Sequence, residues 1–418
     1  MRIWIIQDGE PLPGIDPGTR DWRCSILSKE LLARGHQVLW WASTFDHAQK
    51  KFRRNKPCTI ETETGMKFRL LHGPGYNSNK NPRRFLHQRA IGRAFAHEAV
   101  NFPVPDIIFC GLPLPELAEQ AIIYGHKYDV PAIIDVRDQW PDIYLTMVPS
   151  SLQRFARLLL STEFRRMERV FQSASAIVSI SETYLNWALK YAGRARCSMD
   201  RVFALGHNAP NRTVNETDIA SVRAKYGIHP DNMVVTFVGI FGFSYDLETV
   251  IHAAKILQDY SQPRIQFVLV GDGDAGPRLR EMARSIPNLI CTGWLDRDSI
   301  QVLLGLSSVG LAAYTANATQ SLPNKPFEYM ATGLPLLSSL HGELEQLIAE
   351  QQIGLQYRAG DAKSLVEKIV WLAEHPDERI EMSQRAYKLF EKKFRSDIIY
   401  PELAAHLEKI ADATAMNG

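Results

Sequence analysis

From Ile3 to about Leu372, apolar runs of four to six residues alternate with longer stretches whose apolar positions recur at helical spacing. Short continuous apolar runs mark strands buried on both faces, and interleaved with helices they predict a parallel sheet covered on each side. The class is therefore α/β. In the first half the pattern predicts strands at 2–6, 37–42, 106–110, 131–135 and 175–179, with helices at 19–34, stopped by Gly35, and at 151–171. The polar stretch LGHNAPNRTVNETD (205–218), which carries Pro210, breaks the periodicity and reads as a linker. Strands recur at 234–238, 265–270, 288–291 and 308–312, and the segment from Pro376 to Asn417 is helical, with Tyr387, Phe390, Phe394, Ile398 and Leu403 as anchors.

The expectation is two doubly wound sheets in tandem: an amino-terminal domain 1–205, a linker 206–218, a carboxy-terminal domain 219–380, and helices 381–418 returning to the first domain. A length of 418 residues agrees, since one hydrophobic core rarely serves so long a chain. Such sheets bind ligands at the carboxyl edges of their strands, and a cleft between the two domains is the expected active site.

Composition changes this picture little. A formal net charge of +2 gives no overall field for steering nucleic acid, so an anionic partner must be met locally. The five cysteines are dispersed, with no CxxC pair or zinc-ligand spacing, and read as free thiols in a reducing compartment. The start, MRIWIIQDGEPLPG, has too short an apolar run for a signal peptide or a membrane span, and a cytoplasmic location is expected.

Three stretches suggest chemistry. GDGDAG (271–276) satisfies the G-x-G-x-x-G dinucleotide pattern between a strand and a helix. Asp272 and Asp274 would set two negative charges beside a pyrophosphate, however, and the motif follows the second strand of its domain rather than the first; a tight strand-to-helix turn is the competing reading. In TFVGIFGFSYDLETVIHAAKIL (236–257), Gly239 and Gly242 open a turn whose N–H groups are available to cradle phosphate, or simply satisfy backbone geometry. SLPNKPFEYMATGLP (321–335) follows a strand and a loop, with Asn324 as a helix cap, Pro326 in the first turn and Gly333 as the stop. Lys325 then sits where a helix amino terminus favours phosphate, and Glu328, one turn further in, has two oxygens for the neighbouring hydroxyls of a ribose. The plain alternative is a carboxylate that complements the helix dipole.

These residues resemble the retaining nucleotide-sugar glycosyltransferases of family 4, which have the GT-B fold of two facing Rossmann-like domains. The likeness runs through GTRDWRCSILSKELLARGHQVLWWAS (18–43), IIDVRDQWPD (133–142), SASAIVSISETY (173–184), VFALGHNAPN (202–211), TFVGIFG (236–242), FVLVGDGD (267–274) and SLPNKPFEYMATGLPLL (321–337). RDQWP and SLPNKPFEYMATG look most like a bacterial branch that builds surface polysaccharide by adding sugars, often acetamido sugars, to a lipid-diphosphate-linked acceptor.

The resemblance implies a donor motif of two glutamates eight positions apart. Glu328 matches the second, on the ribose; the first falls at Gln320, so contact with the sugar is by neutral amide. Ser321, Leu322 and Pro323 are implied to run past the donor sugar and phosphates, with Leu295, Gly239 and Gly242 also on the donor side. The Arg and Lys that many members place after the glycine turn are missing, and Lys325 and Arg20 are nominated instead, Arg20 with Gly18 belonging to the family's glycine loop. A family histidine near the transferred sugar falls at Arg137, with Asp138 beside it. The implied chemistry transfers a sugar from a nucleoside diphosphate, uridine-linked, to an acceptor hydroxyl with retention, without a metal or other cofactor. Which sugar and acceptor are used lies with loops 8–18, 111–116 and 315–323.

On the acceptor side, KNPRRFLHQRAIGRAF (80–95) holds five basic residues, no acid, and apolar residues between them, which is suited to anionic lipid headgroups; LQRFARLLLSTEFRRMERVF (152–171) is a second such segment. Both also read as ordinary amphipathic helices. Peripheral association with the inner face of the plasma membrane through 80–95 is the expectation. The competing functions are a nucleotide-sugar 2-epimerase of the same fold, a non-catalytic nucleotide-binding subunit, and, on GDGDAG alone, a nicotinamide-dependent oxidoreductase.

Overall fold

The computed structural model describes residues 1–16, 21–78, 81, 83–146, 148–209, 214–259 and 264–415. The chain divides into two compact units, Met1–Ala204 with Ile398–Gly418, and Leu205–Asp397. Each is built on one largely parallel sheet, as the run pattern requires.

The first unit contains β1 (Arg2–Ile6), β2 (Gln37–Ser43), a small hairpin of β3 (Phe45–Asp46) and β4 (Lys51–Phe52), then β5 (Cys58–Glu61), β6 (Lys67–Leu71), β7 (Ile107–Gly111), β8 (Ala132–Val136), β9 (Ala176–Ser179) and β10 (Arg201–Val202). Its sheet runs in the order β10-β9-β8-β7-β1-β2-β6-β5, antiparallel only between β5 and β6. Strand order reverses beside β1, so the carboxyl ends of β1 and β7 form the switch point where such sheets hold ligands. Consecutive Trp40 and Trp41 show why β2 lies inside: Trp40 packs on Phe68, Trp41 on Trp4, Phe95 and Phe102, and both are fully buried. The last helix, Ser396–Ala415, completes this core with Ile399, Tyr400, Leu403, Ala404 and Leu407.

The second unit contains β11 (Met233–Val238), β12 (Ile265–Val270), β13 (Leu289–Gly293), β14 (Val309–Ala312), β15 (Leu336–Ser338) and β16 (Gly354–Gln356), all parallel, in the order β13-β12-β11-β14-β15-β16. Every residue of β11 and β12 is buried, and helices Leu247–Leu257 and Ala362–Glu374 cover one face through Val250, Ile251, Leu365 and Ile369.

Several expectations change. Strands β3, β4, β5, β6, β10, β15 and β16 are additional; β15 and β16 span three residues each, too few to carry a periodicity. The helix expected at 151–171 breaks at Leu160 into Gln153–Leu159 and Ser161–Ser173, and the helix expected at 19–34 is Arg23–Ala33. The second unit extends to Asp397 rather than 380, because helix Pro376–Leu389 buries Met382 in its core and Phe394 packs on Phe327. Residues expected to link the domains belong to the same unit: His207 bonds the backbone of Phe394 and Ser396, and a helix begins at Glu216 under an Asn215 cap. Tyr387 is 44% exposed and anchors nothing, since the buried face of its helix is set by Met382, Ala386 and Leu389.

One buried ion pair closes the far edge of the first sheet. Asp200 accepts the backbone N–H groups of Ile177 and Cys197, each at 2.9 Å, and both ends of the Arg194 guanidinium. Burial opposes its charge, but Arg194 and the two N–H groups prevail and hold the carboxyl at about 2. A depressed native value means that the contribution to stability is complete above about pH 4 and lost as the pH falls toward 2. Asp200→Ala should therefore cost about 3 kcal/mol at neutral pH, read as a shift in denaturant midpoint. The two proteins should converge in stability in that acid range.

Candidate donor and sugar sites

The second unit's candidates gather at the carboxyl edge of its sheet around the helix Asn324–Ala331. Pro323 occupies the cap position and Asn324 is the first helical residue, so the expected Asn324 cap is not formed and Pro323 simply presets the extended entry. One phenol fixes this helix. Tyr329, fully buried, accepts the Val238 N–H at 3.0 Å and donates to the Leu311 carbonyl at 3.1 Å. Its ring fills the space over Gly310, where any Cβ would fall 2.4 Å from a ring carbon.

Lys325 is thereby carried to the glycine turn after β11. Its ammonium donates to the Tyr245 hydroxyl at 2.8 Å, lies 4.3 Å from that ring's centre and 5.4 Å from that of Phe237, and leaves no room for a side chain at Gly239. Among the described residues no carboxylate lies within ion-pair distance of it. Glu328, three positions on and half-buried, is on the same helix face, and its carboxylate has no hydrogen-bond or ion-pair partner among the described residues. A cation and an anion, neither with an ion-pair partner among the described residues, thus stand about one turn apart at a sheet's ligand edge.

The loop before the helix is tied down on both sides. Gln320 donates through its amide nitrogen to the Ser244 hydroxyl at 3.3 Å, while its buried Oε1 has no partner. Ser321 donates to Glu343 at 2.8 Å, Leu322 is buried and Pro323 half-buried. Gly242 adjoins this turn in open space, with nothing closer to a would-be Cβ than Ile240 at 3.8 Å. Leu295 follows β13 at the sheet's edge, beside Trp294, which is 63% exposed. Tyr245, Tyr329, Ser244 and Glu343 were missed from the sequence. FSYD, between Gly242 and the Asp246 cap, was the one available sign.

In the first unit Arg137 follows β8, where Asp135 is fully buried between two guanidinium groups. Arg23 grips Asp135 at 2.9 and 3.0 Å and also donates to the Phe203 and Ala204 carbonyls. Arg137 donates to Asp135 at 2.5 Å, to the Cys24 sulfur at 3.0 Å and to Glu10. Burial resists ionisation of Asp135, yet Arg23 and Arg137 keep its carboxyl below the ordinary value. Arg137 is thus engaged on three sides by the chain itself. Asp138 accepts the Gln139 N–H at 2.7 Å; burial raises its carboxyl above the ordinary value against that bond and Arg84. Gly18 and Arg20 lie outside the described residues.

GDGDAG resolves as a packing motif. Gly271, at φ +128°, has its α-carbon so close to the Gly239 carbonyl that a Cβ would fall 1.9 Å from the oxygen, and one on Gly273 would fall 2.7 Å from the Phe241 carbonyl. Asp272 bonds the Gly273 N–H and Arg280. These glycines bring two loops of the chain together. In segment 80–95, Ile91 and Phe95 are buried and Phe85 packs on Trp140 and Tyr144, leaving Leu86 as its exposed apolar residue. Among the described residues no helix is long and apolar enough to cross a membrane.

With this geometry in view, residues 232–375 match the family described as Glycosyl transferases group 1. HepE from Anabaena, solved with UDP, superposes with a TM-score of 0.71 over 98% of this chain and 99% of that one, at 16% identity. Sucrose-phosphate synthase from Thermosynechococcus elongatus gives 0.72 over 99% of each chain at 17% identity, and WaaG, a glycosyltransferase involved in lipopolysaccharide biosynthesis, gives 0.64 over 99% of each at 14%. A sequence search of curated proteins finds no match. The chain has the GT-B fold, two Rossmann-like units, and is a glycosyltransferase enzyme.

If GDGDAG is a packing motif, Gly271→Ala should lose more than about 2 kcal/mol of stability through overpacking and backbone strain. Thermal unfolding should show that loss, and saturating NAD should leave the melting of either protein unmoved.

Proposed function

We propose that the second unit binds a nucleoside diphosphate sugar, uridine-linked, and that the enzyme transfers the sugar with retention to a hydroxyl of a glycan or lipid-linked acceptor in polysaccharide biosynthesis. The observation that carries this reading is the pair Lys325 and Glu328, neither ion-paired among the described residues and one helical turn apart, with Lys325 held by Tyr245 beside the Gly239 turn. Lys325, with the N–H groups of the helix start, meets the diphosphate. Glu328 accepts hydrogen bonds from the ribose 2′ and 3′ hydroxyls. The unpartnered Oε1 of Gln320 accepts from a sugar hydroxyl, and Ser321, Leu322 and Pro323 border the sugar and phosphates. In the first unit Arg137 and Asp138 remain the candidates for contact with the transferred sugar, and Arg20 with Gly18 for the phosphates. HepE was solved with UDP and WaaG acts in lipopolysaccharide biosynthesis, which supports both the base and the role.

In the step itself the bond from the anomeric carbon to the diphosphate oxygen breaks as the bond to the acceptor oxygen forms on the same face. The departing diphosphate takes the acceptor's proton. The protein's work is positioning and stabilising charge on the leaving group, for which an ammonium fixed against Gly239 is suited. No glycosidase-type carboxylate pair is required.

Calorimetric titration with UDP should give micromolar binding to the wild type. Losing two hydrogen bonds to a charged acceptor, each worth roughly 1.5–3 kcal/mol, should weaken it about 100-fold or more in Glu328→Ala. Equal affinity in a folded variant would remove the central claim. Product formed from donor alone, without acceptor, would favour epimerisation.

A further inference from the structure

The function above leaves unused the most conspicuous apolar surface of the first unit. Residues 152–159 read LQRFARLL, and Leu152, Phe155, Leu158 and Leu159 are 53%, 61%, 68% and 68% exposed. The helix Gln153–Leu159 buries none of its residues. By contrast the next helix, Ser161–Ser173, buries Phe164, Met167, Val170 and Phe171 in the ordinary way. Four large apolar side chains exposed within eight residues are a concentration of the kind that is often functional on a monomer, unlike apolar residues scattered singly.

The charges around it choose the partner. Residues 149–160 contain Arg154 and Arg157 and no acid. Arg157 packs on the Phe164 ring at 4.2 Å and reaches Asp142 at 3.7 Å, which pins the helix beneath the exposed side chains. Asp142 is occupied further by Trp187 and Tyr191, and Glu163 by Arg166, so the nearby acids are neutralised within the fold. Arg154, Arg165 and Arg83 are exposed and have no carboxylate partner among the described residues. Arg83 lies two residues from Phe85, whose ring meets Tyr144. Leucines and a phenylalanine on a short helix that also carries the exposed Arg154 match a surface that is apolar below and anionic above.

We infer that residues 150–160 dock this enzyme on an anionic phospholipid bilayer, with Leu152, Phe155, Leu158 and Leu159 entering the acyl boundary and Arg154, Arg165 and Arg83 meeting phosphate headgroups. The inference deepens the proposal of a lipid-linked acceptor and moves the apolar contact from segment 80–95, whose Ile91 and Phe95 are buried and which exposes Leu86 alone, to residues 150–160.

The full chain is sedimented with vesicles holding about 30 mol% phosphatidylglycerol in phosphatidylcholine, and with phosphatidylcholine alone. The variants are Phe155→Ser/Leu158→Ser/Leu159→Ser and Arg154→Glu/Arg165→Glu, each also titrated with UDP and sized by light scattering. Wild type should bind the anionic vesicles, at least about tenfold more weakly the neutral ones, and each variant should lose binding about tenfold or more with UDP affinity unchanged. Wild type that stays in the supernatant, or a serine variant that still sediments, would overturn the inference. So would a wild-type dimer that the serine variant abolishes, because a second copy would then cover the patch. Failure of UDP to bind would count against the donor reading and leave this result standing.

Discussion

Where β11 and β14 part, two backbone groups would be left without partners in the interior, and the carboxyl edge of the second unit's sheet is organised around how they are satisfied. The two strands pair only at Val235 with Val309 and Thr236 with Gly310. Beyond that the Val238 N–H and the Leu311 carbonyl are both taken by the Tyr329 hydroxyl. A buried unpaired backbone group costs about as much as a lost hydrogen bond, so the phenol is held firmly and the helix that bears it is held in rotation and height. Gly310 admits the ring, and Gly239 and Gly271 admit the Lys325 side chain and each other's loop. Lys325 and Glu328 owe their positions to this packing as much as to their own chemistry.

The first unit solves a different problem at the matching end of its sheet. Asp135 sits with no solvent exposure, a position tolerable only because Arg23 and Arg137 flank it and Glu10 balances the second guanidinium. Such a cluster fixes the β8 end, the first long helix and residues 203–204 together through Arg23. It also constrains Arg137, a guanidinium engaged by Asp135, Cys24 and Glu10 and so held in place by the chain itself. Asp138, half-buried and bonded to the Gln139 N–H group, is less tightly held.

Much of the fold was legible because a parallel sheet buries both faces of its strands and so writes them as plain apolar runs. Met233–Val238 and Ile265–Val270 are such runs and came out within a residue. Leu336–Ser338 and Gly354–Gln356 did not, because three residues carry no period. GDGDAG was ambiguous for a related reason: a pattern of glycines records that something approaches the backbone closely, without recording whether it is a ligand or another loop of the same chain. Here it is the Gly239 turn.

By itself the sequence determined the α/β class, two sheets in tandem, and a lysine and a glutamate three positions apart at a helix start. These follow from local periodicity and spacing, which neighbours in the chain express directly. Only the tertiary structure decided that those two charges find no ion-pair partner among the described residues and that Lys325 stands beside the Gly239 turn, that Arg137 is already engaged by a carboxylate from residue 10 and a thiol from residue 24, and that the leucines at 158 and 159 face outward while Phe95 faces in. Partnership and exposure depend on side chains far apart in the chain, and a linear pattern does not encode which of them will meet.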